Sequence, residues 1–460
     1  MRIDTVLKPE DLLNEIDALW SLSGEKIKNM TTHLKGTTGS PVVTVNGHYE
    51  PRSWTDWTQG FQYGSELLQF EATQDSYFLD LGIENIKSKM TPHVSHFGVH
   101  DHGFNNLSTY GAMLRLYNDG KISENDWTKE YCILALKLSA SVQAQRWTEI
   151  KGGGFIYSFN GPHSLFVDTI RTIRILVAGH QLKHYSSGEN DSKTNLLKRA
   201  YQHALATAKY SVYYGEGRDT YDIWGRTAHE AVFNTNDGNF RCPSTQQGYS
   251  GYSTWTRGLS WAMLGFAEQL EFLQDQDGLP ELDELGGKDY IEETFLKAAR
   301  ATCDFYIANS ALDGIPYWDT GAPELFNLPG WRKEKSDPFN NFEPIDSSAA
   351  AIGAQGLLRL GNYLRLKNAK DADTYWSAGL TIAKTLFTEP YLSSSDEHQG
   401  LILHSIYHRP NGWDHIPEGS KIPNGEACMW GDYHARELAL YLKNICTGKE
   451  YYTFFKNITL

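Results

Sequence analysis

The sequence predicts an all-α fold, an α/α toroid in which six inner helices face six outer ones. Amphipathic helical periodicity recurs about twelve times along the chain, with alternating short and long connections. Few runs alternate with period two, and no Pro/Ser/Gly linker divides the 460 residues. Hydrophobic residues make up 40% of the chain, enough to bury a large core. We therefore expect residues 1–460 to form one domain.

The helices follow one another with loops rich in Gly, Pro, Asn, Trp and Tyr between them. Two runs, Thr38–His48 and Gly400–Tyr407, are interpreted as short strands or hairpin arms. The predicted helices lie near Pro9–Met30, Gly60–Thr73, Ser76–Met90, Asn105–Asp119, Glu124–Arg146, Ser164–His184, Lys193–Tyr214, Thr254–Gln274, Tyr290–Ser310, Asp346–Leu366, Asp371–Thr388 and Tyr433–Thr447.

Charge and cysteine content narrow the range of partners and compartments. The chain has 42 basic and 56 acidic residues, a formal net charge of −14, which argues against binding to nucleic acid or to an anionic membrane. No apolar run is long enough to cross a bilayer, and the first residues show no basic-then-apolar signal segment. The five cysteines are scattered and odd in number, which favours a reducing compartment. These features predict a cytoplasmic protein.

One acid, Asp168, lies inside a mostly apolar run, residues 161–178, that is interpreted as a helix. A carboxyl in such surroundings is either paired with a cation or held protonated. Arg171, three residues further on, offers a salt bridge. The functional interpretation is a general acid with a raised pKa.

A second acid, Asp101, lies in the segment His100-Asp101-His102 just before the fourth predicted helix. It either caps that helix or shares a pocket with Asp168. Two carboxyls in one pocket resist joint ionisation, so one pKa rises. No further ligands lie at usable spacing, so we expect no metal site.

A loop rich in Gly, Ser and Gln runs into a helix that carries Arg257 and Trp261 four residues apart, hence on one face. This pair either stabilises the helix entry by a cation–π contact or forms a carboxylate clamp beside a stacking ring. Aromatic residues make up 13% of the chain, and many tryptophans lie at helix starts or in connections, where they either pack in the core or stack on a sugar ring. No P-loop, GxSxG, HExxH or GxGxxG–strand motif is present.

Together these segments resemble the unsaturated glucuronyl hydrolases, glycoside hydrolase family 88. The resemblance spans most of the chain in the family's order. It rests on TDWTQGF (Thr55–Phe61), HDHGF (His100–Phe104), the Asp168 segment, STWTRGLSWAMLGF (Ser253–Phe266), PYWDTGAP (Pro316–Pro323), DSSAAAIGAQGLL (Asp346–Leu358) and WGDY (Trp430–Tyr433).

The resemblance implies a catalytic (α/α)6 barrel without metal or organic cofactor. It implies an exo-acting enzyme on oligosaccharides left by polysaccharide lyases, with Asp168 as catalytic acid/base and Asp101 as the second essential carboxyl. The residues expected to line the sugar pocket are Trp57, His100, Phe159, His229, Gln247, Trp255, Arg257 and Trp261.

The chain departs from the family at Phe159, where relatives often have Trp, at His102, where an apolar residue is common, and in the loop Thr245–Tyr252. These departures bear on the leaving sugar and on sulfate preference.

The implied reaction is hydration of the enol-ether double bond of a 4,5-unsaturated uronic acid. Asp168 protonates C4 and then takes a proton from the water that adds at C5, while Asp101 stabilises the developing positive charge. An unsaturated rhamnogalacturonyl hydrolase on the same barrel is the nearest alternative. A sugar epimerase and a non-catalytic glycan-binding protein remain further alternatives.

Overall fold

Twelve long helices build the protein in the part of the chain that the computed structural model describes, residues 1–123, 126–276 and 278–460. Two are interrupted: α4 contains a π-helical turn at Leu107–Gly111, and α6 breaks at Ile173. The helices are α1 Leu13–His33, α2 Gln59–Thr73, α3 Ser76–Lys89, α4 His102–Asn106 continuing to Ala112–Asn118, α5 Asp126–Gln145, α6 Thr169–Thr172 and Arg174–Gln181, α7 Leu196–Tyr210, α8 Thr256–Gln274, α9 Gly287–Asn309, α10 Ser347–Leu366, α11 Ala372–Leu386 and α12 Met429–Cys446.

The even-numbered helices form a closed inner ring. α2 contacts α4, and contacts continue through α6, α8, α10 and α12 back to α2. The odd-numbered helices lie outside this ring. The predicted (α/α)6 barrel is therefore confirmed.

Burial separates the two layers. Every residue of α8 from Thr256 to Leu273 is buried, whereas α1 buries 8 of its 21 residues, at helical spacing. An outer helix covers the core with one face only, while an inner helix is surrounded by protein. Neighbouring inner helices also approach one another closely. A Cβ at Gly103 of α4 would overlap the backbone of Thr172 in α6.

Strands are short and lie in the connections. They are β1 Ser40–Val45, β2 His48–Arg52, β3 Trp147–Ile150, β4 Gly153–Ile156, β5 Ser164–Phe166, β6 Ser186–Ser187, β7 Lys193–Thr194, β8 Glu230–Phe233 and β9 Phe240–Ser244. All pair antiparallel: β1 with β2, β3 with β4, and β6 with β7, while β8 pairs with β5 on one side and β9 on the other in a three-stranded sheet.

The structure corrects the sequence prediction at several boundaries. The apolar run before Asp168 is strand β5, not helix. A short apolar run is compatible with either a helix or a strand, and here pairing with β8 makes it a strand. The predicted strand Gly400–Tyr407 forms only a single bridge, Leu392 to Ile402. The first hairpin reaches Arg52. The predicted start of the fifth helix at Glu124 lies outside the described residues.

Buried charges tie the inner ring together. Arg171 of α6 contacts Glu268 of α8 at 3.1 Å and Glu437 of α12 at 2.8 Å, and Arg174 contacts Glu268 at 3.2 Å. Burial acts to raise the pKa of both glutamates, but the arginines outweigh it and hold each pKa below its usual value. The predicted salt bridge between Arg171 and Asp168 is wrong, because this guanidinium points between α8 and α12. No helix in the described part of the chain is long and apolar enough to span a membrane.

We expect Arg171→Met to lower the free energy of unfolding by about 3–5 kcal/mol, because it removes the positive charge that Glu268 and Glu437 share and leaves both carboxylates buried. The matched control is Arg365→Met in α10, whose ion pair with Asp373 is largely exposed. That variant should change stability by about 1 kcal/mol or less. Urea unfolding of both variants measures the difference. Equal effects would show that the buried network does not stabilise the ring.

Candidate active site

A cavity of about 530 Å³ opens at one end of the barrel, where inner helices begin. Its wall comes from the segments that enter α2, α4, α6, α8 and α12. The lining residues are Arg52, Thr55, Asp56, Trp57, His96, Gly98, Val99, His100, Asp101, Phe159, Phe166, Asp168, Gln246, Gln247, Trp255, Arg257, Trp261, Tyr407, His408 and Trp413.

Both predicted catalytic acids lie in this wall. Asp101 precedes α4 and Asp168 precedes α6, each at the N-cap position, yet neither side chain makes a capping hydrogen bond. The interpretation of Asp101 as a simple helix cap is therefore wrong. Both residues are 7% exposed, so the carboxyls reach the cavity but are screened from bulk solvent.

His100 lies between the two carboxyls. Its Nε2 atom is 3.4 Å from Asp168 Oδ2 and 3.8 Å from Asp101 Oδ1. One potential ligand atom from each of the three side chains lies within 4.8 Å of the others. The other oxygen of Asp168, Oδ1, is buried and has no hydrogen-bond partner in the described part of the chain. One imidazole thus links two acids, and one carboxylate oxygen is left for another partner.

Electrostatics distinguish the two acids. Burial, and secondarily the charge of Asp168, raises the pKa of Asp101 to about 6 although His100 opposes the shift. Burial also acts to raise the pKa of Asp168, but the hydrogen bond and charge of His100 outweigh it and the pKa falls below its usual value. The pKa of His100 is raised because the two acids outweigh its burial. The prediction of a raised pKa on Asp168 is wrong: His100 bonds Asp168, so the raised pKa belongs to Asp101.

Aromatic rings form the walls. Trp57 stacks on Trp430 with ring centroids 4.9 Å apart, and Trp261 contacts Phe104 at 4.7 Å. Phe159 is 57% exposed and lies toward the solvent side of the cavity. The wall therefore offers flat apolar surface to the C–H faces of a sugar ring.

Arg257 is occupied by the protein itself. Its Nη1 atom donates to Asp346 Oδ2 at 3.1 Å and to the Ile406 carbonyl. Its Nη2 atom donates to Gln247 Oε1 at 2.8 Å and to the Tyr407 carbonyl at 2.7 Å. In this arrangement Arg257 orients Gln247 and the Tyr407 segment, and its Nη atoms are not available as the predicted carboxylate clamp.

His229 is the one predicted pocket residue that does not line the cavity. It is 2% exposed, and its ring contacts Phe166 at 4.3 Å and Trp255 at 4.7 Å. Its Nδ1 accepts a hydrogen bond from the Gln246 backbone at 3.0 Å. Burial lowers its pKa to about 4, so the ring is neutral and supports the wall from behind. The other seven predicted pocket residues line the cavity beside the two acids.

Several lining residues are not predicted from the sequence. Asp56 lies inside the motif Thr55–Phe61, Arg52 ends β2, and Tyr407 and His408 come from the segment before α12. Trp413 follows them and is one of the connection tryptophans that the sequence offers for sugar binding. No local pattern marks the other four, because only the fold brings the first hairpin and the segment before α12 to the same cavity.

The inner ring, the aromatic cavity at its end and the acid pair in the cavity wall together define a carbohydrate-active enzyme.

Comparisons with known proteins narrow this class to particular enzymes that the chain resembles. No family model matches the chain. The unsaturated glucuronyl hydrolase of Bacillus sp. GL1 is 26% identical over 416 residues, covering 86% of this chain and 89% of that protein. The enzyme of the same name from Formosa agariphila is 25% identical over 395 residues, covering 85% of this chain and 80% of that protein. An unsaturated chondroitin disaccharide hydrolase of Streptococcus agalactiae is 23% identical over 402 residues, covering 86% of this chain and 83% of that protein.

Solved structures carry the same fold. The unsaturated glucuronyl hydrolase of Bacillus sp. GL1 superposes with a TM-score of 0.68 at 23% identity, covering 93% of this chain and 98% of that one. The Streptococcus agalactiae enzyme superposes with a TM-score of 0.69 at 20% identity, covering 99% and 98%. The resemblance to unsaturated glucuronyl hydrolases that the motifs predicted is confirmed.

We expect Asp101→Asn to stabilise the free protein at neutral and alkaline pH. A carboxyl whose pKa is raised from 3.8 to about 6 adds stability that is fully present below the unfolded value and is lost as the pH rises through the folded value. At pH 8 the buried carboxylate therefore opposes folding, by about 1–3 kcal/mol. The neutral amide removes this penalty.

Thermal unfolding of wild type and Asp101→Asn at pH 5 and pH 8 measures the effect. The variant should gain more at pH 8 than at pH 5. A gain that is the same at both pH values would contradict the raised pKa.

Proposed function

We propose that this chain is a hydrolase that removes a terminal 4,5-unsaturated uronic acid from lyase-generated oligosaccharides, acting by hydration of the enol-ether double bond. The observation that carries the proposal is the cluster of Asp101, His100 and Asp168 in an aromatic-walled cavity. The relatives named unsaturated glucuronyl hydrolase support it. A point mutant of one of them, from Streptococcus agalactiae, is solved in complex with dGlcA-GalNAc6S.

The chemistry follows from the substrate. A 4,5-unsaturated uronate contains an enol ether, so a proton added at C4 places positive charge on C5, shared with the ring oxygen. Water then adds at C5 and releases a proton. The resulting hemiketal opens and expels the neighbouring sugar, so one water is consumed and the enzyme's proton is regenerated.

The site supplies a proton and a negative charge in the required places. His100 Nε2 and Asp168 Oδ2 lie 3.4 Å apart, close enough for one proton to pass between them. When substrate excludes water, the lower dielectric favours the neutral pair, so the proton moves to Asp168. Asp168 gives it to C4 and later accepts one from the attacking water. Asp101, ionised above its pKa of about 6, stabilises the positive charge at C5 and the ring oxygen.

The spacing of the acids argues against an inverting displacement at C1. Such enzymes hold their two carboxyls about 6.5–9.5 Å apart to leave room for a water. Here the ligand atoms of Asp101 and Asp168 lie within 4.8 Å of each other. In D₂O, enzymatic hydration should place deuterium at C4 on one face only, whereas ring opening after displacement would label both faces.

Wild-type enzyme should consume unsaturated disaccharides, seen as loss of absorbance of the enol ether. Asp168→Asn should lower kcat by about 10²–10⁴-fold or more, because it removes the acid/base, while Kd for substrate changes little. The substrates tested are unsaturated disaccharides made by chondroitin, ulvan, xanthan and pectin lyases. The enzyme's preference among them distinguishes a glucuronyl hydrolase from a rhamnogalacturonyl hydrolase.

Two results would reject the assignment: activity of Asp168→Asn within tenfold of wild type, or unchanged absorbance with every disaccharide. In the second case, binding without turnover would indicate a glycan-binding protein. The proposed steps use only side chains and water, so activity should survive removal of metal ions. Repeating the assay after dialysis against EDTA tests this expectation.

The pH dependence of kcat/KM should be bell-shaped. Activity falls below about pH 6 as Asp101 becomes protonated and can no longer stabilise the cation. It falls at higher pH as His100, whose pKa is raised, loses the proton that it shares with Asp168. Initial rates at low substrate concentration from pH 4 to pH 9 measure the profile. An acid limb near pH 4, the ordinary value for a carboxyl, would contradict the role of Asp101.

A further inference from the structure

Two arginines line the cavity, and they differ in how the protein uses them. The Nη atoms of Arg257 donate to Asp346, Gln247 and two carbonyls. Arg52, at the end of β2, makes no ion pair within 4.0 Å and no side-chain hydrogen bond in the described part of the chain. Its guanidinium is therefore a cation in the cavity wall without an ionic or hydrogen-bonding partner among the described residues.

Aromatic rings hold this cation in place. The guanidinium carbon of Arg52 lies 5.5 Å from the ring centroid of Tyr407 and 6.0 Å from that of Trp413. Contact with ring faces restricts the side chain but does not use its N–H groups. A guanidinium held in this way presents its donors to whatever enters the cavity.

Three acids line the cavity, and an anionic substrate must bind beside them. Asp56, Asp101 and Asp168 all line it. Burial raises the pKa of Asp56, and the charge of Arg52 partly opposes that shift, so the two residues lie within each other's field. A uronate placed beside these acids is repelled unless a cation faces it.

The remaining basic side chains do not supply that cation. His100 is committed to the two catalytic acids. Burial lowers the pKa of His96 below its usual value and that of His408 to about 4, so both are neutral near pH 7. Asp346 neutralises Arg257 at 3.1 Å. Arg52 is thus the cavity-lining cation whose charge and donors are both available.

We propose that Arg52 is a specificity-determining residue that recognises an anionic oxygen group on the bound sugar. The inference rests on the proposed function, which supplies an acidic sugar as substrate. Two groups share this chemistry: the carboxylate of the unsaturated uronate and a sulfate ester on the leaving sugar. Either accepts paired hydrogen bonds from one guanidinium.

The experiment compares wild type, Arg52→Gln and Arg52→Lys on three substrates. These are the unsulfated unsaturated chondroitin disaccharide, its uronate methyl ester and its 6-sulfated form. Arg241→Gln is the control for loss of one positive charge, since Arg241 is exposed on β9 and outside the cavity. KM and kcat are measured at low and high salt. Kd is measured for the same substrates in the Asp168→Asn background.

If Arg52 recognises the carboxylate, Arg52→Gln raises KM about tenfold or more for the two free acids and less than threefold for the ester. If it recognises the sulfate, the loss is confined to the 6-sulfated disaccharide. In both cases high salt raises KM of wild type more than that of Arg52→Gln, and Arg52→Lys recovers part of the affinity. Arg241→Gln stays within twofold of wild type.

A uniform loss on all three substrates would overturn the proposal, because it would assign Arg52 to wall structure. A change of less than twofold on all of them would overturn it as well. Failure of the proposed function gives a different result, since wild type itself then turns over none of the three. In that case Kd in the Asp168→Asn background tests the inference separately. The inference fails if Arg52→Gln leaves Kd of every acidic disaccharide unchanged.

Discussion

The buried guanidinium of Arg171 fixes the part of the barrel on which the site depends. It is fully buried between Glu268 of α8 and Glu437 of α12, and it is carried by α6. Asp168 lies one turn before it, at the N-cap of the same helix. An ion pair in the low-dielectric interior tolerates little displacement, because either partner left alone bears the cost of desolvation. The position of α6, and with it the carboxyl of Asp168, is therefore set by charges rather than by apolar packing alone.

A second constraint is the use of one imidazole for two acids. His100 bonds Asp168 at 3.4 Å and lies 3.8 Å from Asp101, and this small asymmetry separates their titration. The Thr172 hydroxyl of α6 donates to the His100 carbonyl at 2.8 Å, so the imidazole and Asp168 are positioned by the same helix. In the proposed reaction, one acid handles the proton while the other remains charged.

The remainder of the cavity combines rigid and adaptable parts. Arg257 is part of the wall, and Asp346 and His229 lie behind it; their contacts give Gln247 and Trp255 fixed orientations. Phe159 and Trp413 are more exposed and come from connections. In the proposed function, the buried wall recognises the reacting ring and the exposed rings meet the leaving sugar. Loops carry such specificity because they vary without disturbing the helices.

The sequence by itself determined the twelve amphipathic helices and singled out the two acids, because helical periodicity and an acid in an apolar run are local properties. The pocket residues followed from the family resemblance, and His229 among them lies behind the wall. It did not determine that residues 164–166 form a strand, since pairing with β8 decides between two states that such a short run allows equally. Only the tertiary structure decided which acid has the raised pKa, that Asp346 occupies Arg257, and that Arg52 reaches the cavity. These depend on burial and on charges from distant segments, which no local pattern encodes.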